Sequence, residues 1–211
     1  MSNIIARATR KIRELKDYGG VPTFLKGGVK YAACRVLQPV LRFNPWLVSP
    51  YEWRIYAMAA SRFVTDLVRR EGLKTVVEVG CGWGSILAHI KAEQRVGFDK
   101  DAYTVRLARL LHRKVWFHVG TFGDVHLPAD VIIAVNFIHR IEPDSLRQQL
   151  ETIHSQTGAR YIVVDRVPLQ YHHDFDRVLG GIGTCIWRIA PEPDGRRELL
   201  CYRLTDSSTG R

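Results

Sequence analysis

The chain has 211 residues, 46% of them hydrophobic and 25% charged, which is the composition of a soluble globular protein with one substantial core. Its formal charge of +10 is concentrated in residues 1–50, where nine Lys or Arg face two acidic residues, a net charge of +7. No apolar run approaches the roughly 20 residues of a membrane span, and there is no secretory signal, so the sequence predicts a cytoplasmic protein. The four cysteines are irregularly spaced, which indicates reduced thiols rather than disulfides or a zinc site.

The first predicted unit is a basic helical extension over residues 1–48. Residues 4–18 and 24–43 each place apolar side chains at helical spacing with Lys and Arg between them. Such a face can bind an anionic membrane surface. Residues 1–45 would then hold the protein at the inner surface of a membrane. It equally suits a helix that covers one side of the following domain, and the sequence leaves both interpretations open.

After these two segments, a further helix is predicted to begin at Ser49. Ser49 is a good N-cap, Pro50 suits the first helical position, and Glu52 completes a capping box. This helix should run to about Arg70 and end near Gly72. Strands and helices alternate after it, which predicts a parallel sheet: strands 75–79, 95–98, 115–119, 130–136 and 160–165, with helices 84–92, 101–112 and 144–156.

The C-terminal part has a different pattern. The segments T-C-I-W-R-I and R-E-L-L-C-Y-R-L flank a turn at 191–195, which predicts an antiparallel hairpin. The predicted fold is therefore α/β: a Rossmann-like, doubly wound sheet of about seven strands, mostly parallel, with a C-terminal antiparallel hairpin and an N-terminal helical extension. The predicted domain covers residues 49–205, and residues 206–211 form a flexible tail.

Glycines follow the first predicted strand at alternate positions. The text T-V-V-E-V-G-C-G-W-G-S, which starts at Thr75, carries them at Gly80, Gly82 and Gly84. Backbone without a Cβ can approach a ligand closely, which indicates a site for a nucleotide-like molecule. Asp99 ends the next strand about 20 residues later, where a carboxylate can accept hydrogen bonds from ribose hydroxyls.

These motifs, E-V-G-C-G-W-G, G-F-D and P-A-D-V-I-I-A-V-N-F-I-H, resemble those of class I S-adenosylmethionine-dependent methyltransferases. The resemblance covers roughly residues 51–204. It implies that S-adenosyl-L-methionine is the cofactor, with its methionine part against the glycine turn, Glu78 ordering the site and Asp99 binding the ribose. The cofactor-binding set is Glu78, Gly80, Cys81, Gly82, Trp83, Gly84, Asp99, Lys100, Thr121, Phe122 and Asn136.

Two points of the cofactor site stay open. A dinucleotide-dependent oxidoreductase would carry a third glycine where this chain has Ser85, and the glycines here alternate instead, which favours the methyl donor. Family members often carry an acid at the end of the third strand, whereas this chain has Thr121 there and an acid only at Asp124. Phe122 can stack on the adenine, and the residue that contacts the base is undecided among these three.

Three histidines are the candidate catalytic residues. An oxygen acceptor with a high pKa needs a general base, and His139 follows Asn136 in the loop that the resemblance places near the transferred methyl group. His139 is equally well explained as a support for that loop. His172 and His173 lie in the loop 171–176, which is predicted to cover the substrate and brings Tyr171, Asp174 and Asp176 near Asp165. The two histidines can form a base with an orienting carboxylate, act as metal ligands, or be solvated loop residues. Three converging metal ligands cannot be recognised, so no metal is predicted.

Three functions are compatible with the sequence, and they differ in the methyl acceptor or in the absence of catalysis. The first is O-methylation of a small molecule or of a lipid-linked saccharide; the segment N-P-W-L-V-S-P-Y-E-W-R is loosely similar to methyltransferases of bacterial surface-polysaccharide clusters. The second is RNA methylation, for which the +10 charge argues, although the chain keeps only Asn136 of the N-P-P-Y tetrad of many base methyltransferases. The third is a non-catalytic cofactor-binding protein of the same fold.

Overall fold

A computed structural model describes residues 29, 32, 33, 35–40, 42, 55–168, 171–191 and 197–205. Most of the predicted extension 1–48 lies outside this part of the chain, as do the helix start at Ser49 and the tail 206–211. Within the extension, residues 29, 32, 33 and 35–40 are helical. No helix of the described residues is long and apolar enough to cross a membrane.

The core of the fold is one sheet of seven strands in the order β3-β2-β1-β4-β5-β7-β6. The first five strands are parallel, and β7 runs antiparallel to both β5 and β6. The predicted mostly parallel sheet with a C-terminal hairpin is therefore confirmed. The strands are β1 Thr75–Val79, β2 Gln94–Asp99, β3 Trp116–Val119, β4 Val131–Ala134, β5 Tyr161–Arg166, β6 Gly183–Ile189 and β7 Glu198–Leu204.

Helices connect the parallel strands and cover both faces of the sheet. Asp101 caps the second of them by accepting a hydrogen bond from the backbone N–H of Tyr103, and Glu142 caps the third by accepting from Ser145. The helices are α1 Ile55–Glu71, α2 Ala102–Leu111, α3 Pro143–Thr157 and α4 Phe175–Leu179, with short 3-10 helices at Leu87–His89, Phe122–Asp124 and Ile138–Arg140.

Two hydrophobic clusters pack against the sheet, one on each face. One joins α1 and α2 to residues such as Val76 and Val163, and the other joins α3 and α4 to residues such as Ile132 and Val164. Alternate residues of one strand thus enter opposite clusters. This is why β4 and β5 read in the sequence as continuous apolar runs.

The predicted helix over 84–92 is wrong, since only Leu87–His89 forms a 3-10 helix there. Several carbonyls of this segment have partners elsewhere in the fold: the hydroxyl of Ser61 donates to the carbonyl of Ile86, and Arg95 donates to that of Ile90. These partners come from α1 and β2, which a local sequence pattern cannot reveal.

Two further differences lie at the ends of β4 and β5. The predicted strand 130–136 stops at Ala134, because Asn136 turns away with φ of +71° and donates its backbone N–H to Asp165. The predicted loop 171–176 contains the start of helix α4, which Asp174 caps by accepting hydrogen bonds from the backbone N–H groups of Asp176 and Arg177.

Candidate functional site

A cavity of about 450 Å³ opens at the carboxyl ends of the central strands. The sheet order reverses there, because the chain passes from β1 outward to β2 and β3 and then returns to β4 on the other side. Ligands of open α/β sheets bind at such a switch point. The cavity is lined by Tyr56, Ala57, Glu78, Val79, Gly80, Cys81, Gly82, Trp83, Ser85, Ile86, Asp99, Lys100, Gly120, Thr121, Phe122, Val135, Asn136, Phe137, Arg140, Ile141 and Gln149.

The glycine turn forms one wall of the cavity. Gly80 has φ of +66°, and a Cβ there would lie 2.6 Å from Cε1 of Phe137, so a larger residue is excluded by conformation and by space. Gly84 differs from the other two glycines. It is not a lining residue, and a Cβ on it would lie 2.8 Å from Cε1 of Phe117. Gly84 therefore permits close packing of the turn against β3.

Glu78 presents a buried carboxylate at this wall. Its side chain is only 3% exposed, and Oε2 is buried without a hydrogen-bond partner among the described residues. Burial raises the pKa of Glu78 well above its usual value, although a hydrogen bond from the backbone of Leu87 opposes the rise. A buried acceptor without a donor is costly unless a ligand supplies one. The position fits a cationic or hydrogen-bond-donating group.

Asp99 ties the end of β2 to the glycine turn. Its two carboxylate oxygens accept backbone hydrogen bonds from Gly82 and Asp101, each at 2.9 Å. Desolvation is the main cause of its raised pKa, and the two backbone hydrogen bonds partly offset it. Each carboxylate oxygen has a second lone pair. Asp99 can therefore accept further hydrogen bonds from hydroxyl groups inside the cavity.

The loop after β3 separates the three residues that the sequence left undecided. Thr121 and Phe122 line the cavity, and Phe122 packs against Phe137 with ring centroids 5.7 Å apart. Asp124 instead turns back to accept hydrogen bonds from the backbone and hydroxyl of Thr121 at 2.7 and 3.0 Å, which lowers its pKa. Asp124 thus caps the short helix and is not a lining residue.

Asn136 belongs to a polar network behind the cavity. Its backbone N–H donates to Asp165 at 2.8 Å, and its side-chain oxygen accepts from Arg197 at 3.1 Å. Arg197 also pairs with the fully buried Asp165 and lies over the ring of Tyr56, 4.1 Å from its centroid. Sequence reasoning missed Arg197 and Tyr56, because neither belongs to a motif and only the folded chain brings them together.

His139 lies beside the cavity without lining it. The side chain is 5% exposed, and Nδ1 is buried without a hydrogen-bond partner in the described structure. Burial first, then the charges of Arg140, Arg197 and His173, lower its pKa to about 4. The imidazole is therefore neutral at physiological pH, but it binds a proton weakly.

His172 and His173 line a second cavity, of about 330 Å³, which shares no lining residue with the first. His173 is buried and donates its Nε2–H to the carbonyl of Ile138 at 2.9 Å, whereas His172 is exposed. The backbone N–H of Tyr171 donates to the carbonyl of His139 at 3.0 Å. The loop after β5 is thereby attached to the loop after β4. No group of three potential metal ligands occurs among the described residues.

No model of a known protein family matches the sequence. A search of curated proteins likewise finds no similar sequence.

Solved structures with a similar fold include several methyltransferases. Magnesium protoporphyrin IX methyltransferase from Synechocystis PCC 6803, solved with bound S-adenosylmethionine, aligns over 72% of this chain and 81% of its own, with 15% identity and a TM-score of 0.62. The N-methyltransferase NodS from Bradyrhizobium japonicum WM9, solved with S-adenosylhomocysteine, aligns over 74% and 88%, with 11% identity and a TM-score of 0.61. A TehB-like S-adenosylmethionine-dependent methyltransferase from Corynebacterium glutamicum aligns over 72% and 94%, with 17% identity and a TM-score of 0.57.

The chain therefore has the fold of class I S-adenosylmethionine-dependent methyltransferases. At identities of 11–17%, the similarity to these structures establishes the fold but not the function. Function has to be argued from the residues of the site.

Proposed function

We propose that this protein is an S-adenosylmethionine-dependent methyltransferase that methylates an oxygen atom of a small molecule or saccharide. The observation that carries the proposal is the buried carboxylate oxygen of Glu78, which has no donor among the described residues and faces the same cavity as Asp99. The cofactor has a positively charged methionine part and a ribose diol. A desolvated acid and a strand-terminal acid in one cavity match these two groups.

The residues of the cavity divide between binding and orientation. Gly80 and Gly82 allow the methionine part to approach the backbone, Asp99 accepts from the ribose hydroxyls, and Phe122 offers an aromatic face to the adenine. Once bound, the cofactor supplies a methyl group that is already activated as a sulfonium. The protein then has to hold the acceptor in line and exclude water.

Asn136 and Tyr56 are the residues proposed to orient the acceptor. Both line the cavity, and both are fixed from behind by Arg197. A rigid wall of this kind favours catalysis by positioning, which is consistent with the weak basicity of His139. His139 stays a candidate base for an acceptor hydroxyl, as do His172 and His173.

The decisive test is transfer of a labelled methyl group from S-adenosylmethionine into cell extracts that have been separated into glycan, small-molecule, lipid and RNA fractions. We expect label in the glycan or small-molecule fraction with the wild-type protein and none with Asp99→Ala. Asp66→Ala is the matched control, because Asp66 is exposed on α1 and pairs with Arg69 at the surface. Absence of transfer into every fraction would contradict the proposal.

The histidines can be tested with the acceptor fraction found in this way. If one of them is the base, its replacement by Gln lowers turnover at least about tenfold and leaves the affinity for S-adenosylmethionine unchanged. His118→Gln is the control, since His118 is exposed on β3. Unchanged turnover in all three variants would exclude a histidine base.

RNA methylation is the second candidate, and the charge of +10 is the observation that favours it. A phosphate-binding protein loses affinity steeply as salt is raised. Label in the RNA fraction, together with salt-dependent RNA binding, would show that the acceptor is RNA rather than a saccharide or small molecule.

Binding of the cofactor without transfer into any fraction would instead indicate a non-catalytic protein.

A further inference from the structure

The helical residues of the N-terminal extension expose an apolar face. Val29, Val36 and Val40 are 71%, 75% and 76% exposed, and Leu37 is 47% exposed. Isolated exposed apolar residues are ordinary, but several on one short helix are not. The face is separate from both cavities, since none of these residues lines either of them.

The spacing of these residues places them on one side of the helix. Positions 29, 33, 36 and 40 follow the pattern i, i+4, i+7 and i+11, which returns to the same face at 3.6 residues per turn. Ala33 completes this row, and Leu37 widens it. Arg42 lies beyond the last described helical residue, has φ of +54° and donates its backbone N–H to the carbonyl of Gln38 at 2.7 Å.

The apolar face has basic neighbours in the sequence. Arg35 is exposed and lies about 100° around the helix from Val36, and Arg42 is exposed beyond the last described helical residue. The sequence adds Lys26 and Lys30, and residues 18–51 contain no Asp or Glu at all. Basic side chains beside an apolar helical face can extend to lipid headgroups while the face is buried among acyl chains.

We propose that this face, defined by Val29, Ala33, Val36, Leu37 and Val40, docks on the surface of an anionic lipid bilayer. Valine side chains can insert into the interface of a bilayer, and each nearby Lys or Arg strengthens binding when the lipid is anionic. Burying the same face against a second copy would bring two basic segments together with no acid in residues 18–51 to pair with them. Single-stranded RNA fits poorly, because valine offers no aromatic surface for base stacking. The proposal does not depend on methyl transfer.

The test is co-sedimentation of the full chain with vesicles of phosphatidylcholine alone or with about one third phosphatidylglycerol. We expect binding to the anionic vesicles and at least about tenfold weaker partitioning for Val36→Asp/Val40→Asp. Leu110→Asp/Val119→Asp is the matched control, because it changes two exposed apolar residues on α2 and β3 and adds the same charge. The control should bind like wild type. Thermal unfolding of each variant checks that the domain stays folded.

A second pair of variants tests the charge. Arg35→Gln/Arg42→Gln should lose most of the preference for anionic over neutral vesicles, whereas Arg106→Gln/Arg113→Gln, exposed on and beside α2, should keep it. The proposal is overturned if wild type binds neither kind of vesicle, or if Val36→Asp/Val40→Asp binds as well as wild type. It is also overturned if sedimentation velocity without lipid shows a wild-type dimer that this variant converts to a monomer.

Discussion

At the scale of single residues, the two carboxylates of the cavity are in an unfavourable environment without ligand. Burial raises the pKa of both Glu78 and Asp99, and for Glu78 one oxygen also lacks a hydrogen-bond partner in the described structure. Buried acids with a raised pKa are typical of functional sites, because a ligand of opposite charge relieves the cost of desolvation.

The first prediction concerns ligand affinity. Glu78→Gln removes the negative charge and keeps the shape, so we expect it to weaken binding of S-adenosylmethionine by about 10- to 100-fold, the range for a buried hydrogen bond to a charged group. Isothermal titration calorimetry measures the change. Glu93→Gln is the control, since Glu93 is exposed and pairs only loosely with Lys74 at 3.8 Å. Equal affinities for wild type and Glu78→Gln would contradict a direct role.

The second prediction concerns stability and pH in the same variant. The pKa of Glu78 is raised in the folded state, so the folded protein binds the proton more tightly than the unfolded chain does. Stability therefore falls as pH rises from about 4.5, the ordinary value, through the raised pKa.

Glu78→Gln stays neutral at every pH and avoids this loss. We expect the ligand-free variant to melt a few degrees above wild type at pH 8 and at nearly the same temperature at pH 4.5. Differential scanning calorimetry at the two pH values distinguishes this result from an offset that does not depend on pH. Such a constant offset would show that ionisation of Glu78 is not the cause.

At the scale of secondary-structure elements, the segment after the glycine turn shows where local patterns stop being informative. Its apolar residues, Ile86, Leu87 and Ile90, are buried, as a helical pattern would require. Its backbone groups bond only partly to one another, as the N–H of Ala88 does to the carbonyl of Gly84, and other groups bond to Ser61, Glu78 and Arg95. Tertiary partners thus take the place of part of the hydrogen-bond pattern of a regular helix in this segment.

The third prediction tests this role of Arg95, which donates to the carbonyls of Ile90 at 3.2 Å and Lys114 at 3.1 Å. Arg95→Gln should lower the free energy of local opening by about 1–2 kcal/mol, which speeds amide exchange in residues 84–92 by roughly 5- to 30-fold. Hydrogen exchange with mass spectrometry reports it, with Arg106→Gln on α2 as control. Unchanged exchange in 84–92 would show that the segment does not depend on Arg95.

At the scale of the whole molecule, Arg197 connects parts of the fold that are far apart in the chain. It precedes β7, pairs with Asp165 on β5, reaches Asn136 after β4 and lies over Tyr56 on α1. The guanidinium and Asp165 are both buried, so removing either partner leaves a charge without compensation. The same contacts hold one wall of the cavity.

The fourth prediction follows from this burial. Arg197→Met should lower the free energy of unfolding by about 3–5 kcal/mol, the cost of an unpaired buried charge, and urea denaturation measures it. Arg188→Met should leave the free energy of unfolding nearly unchanged, because Arg188 is solvent-exposed and lies 3.8 Å from Asp176.

A double variant separates the unpaired charge from lost packing. Asp165→Asn/Arg197→Met no longer contains the buried charge, and Asn at position 165 can still accept from the backbone of Asn136. It should therefore be more stable than Arg197→Met alone. If the double variant is the less stable of the two, packing rather than charge explains the loss.

The sequence by itself determined the fold and the position of the cavity. This evidence was local. The buried strands β4 and β5 each contain an unbroken apolar run, and the glycine turn and Asp99 lie at the carboxyl ends of β1 and β2, where ligands of such sheets bind. Ten of the eleven predicted cofactor-binding residues line the cavity, and Gly84 does not. Their use by a cofactor stays a prediction.

Only the tertiary structure decided how the side chains meet. Arg197, Tyr56 and Asn136 come from distant parts of the chain, and no spacing in the sequence links them. His139 and His172 both follow a buried strand in the sequence, and both were candidates for the base. The structure buries His139 beside the main cavity and leaves His172 exposed at the second cavity. Apart from segments such as 84–92, secondary structure followed from short-range periodicity, whereas burial, pKa and hydrogen-bond partners depend on which elements pack together.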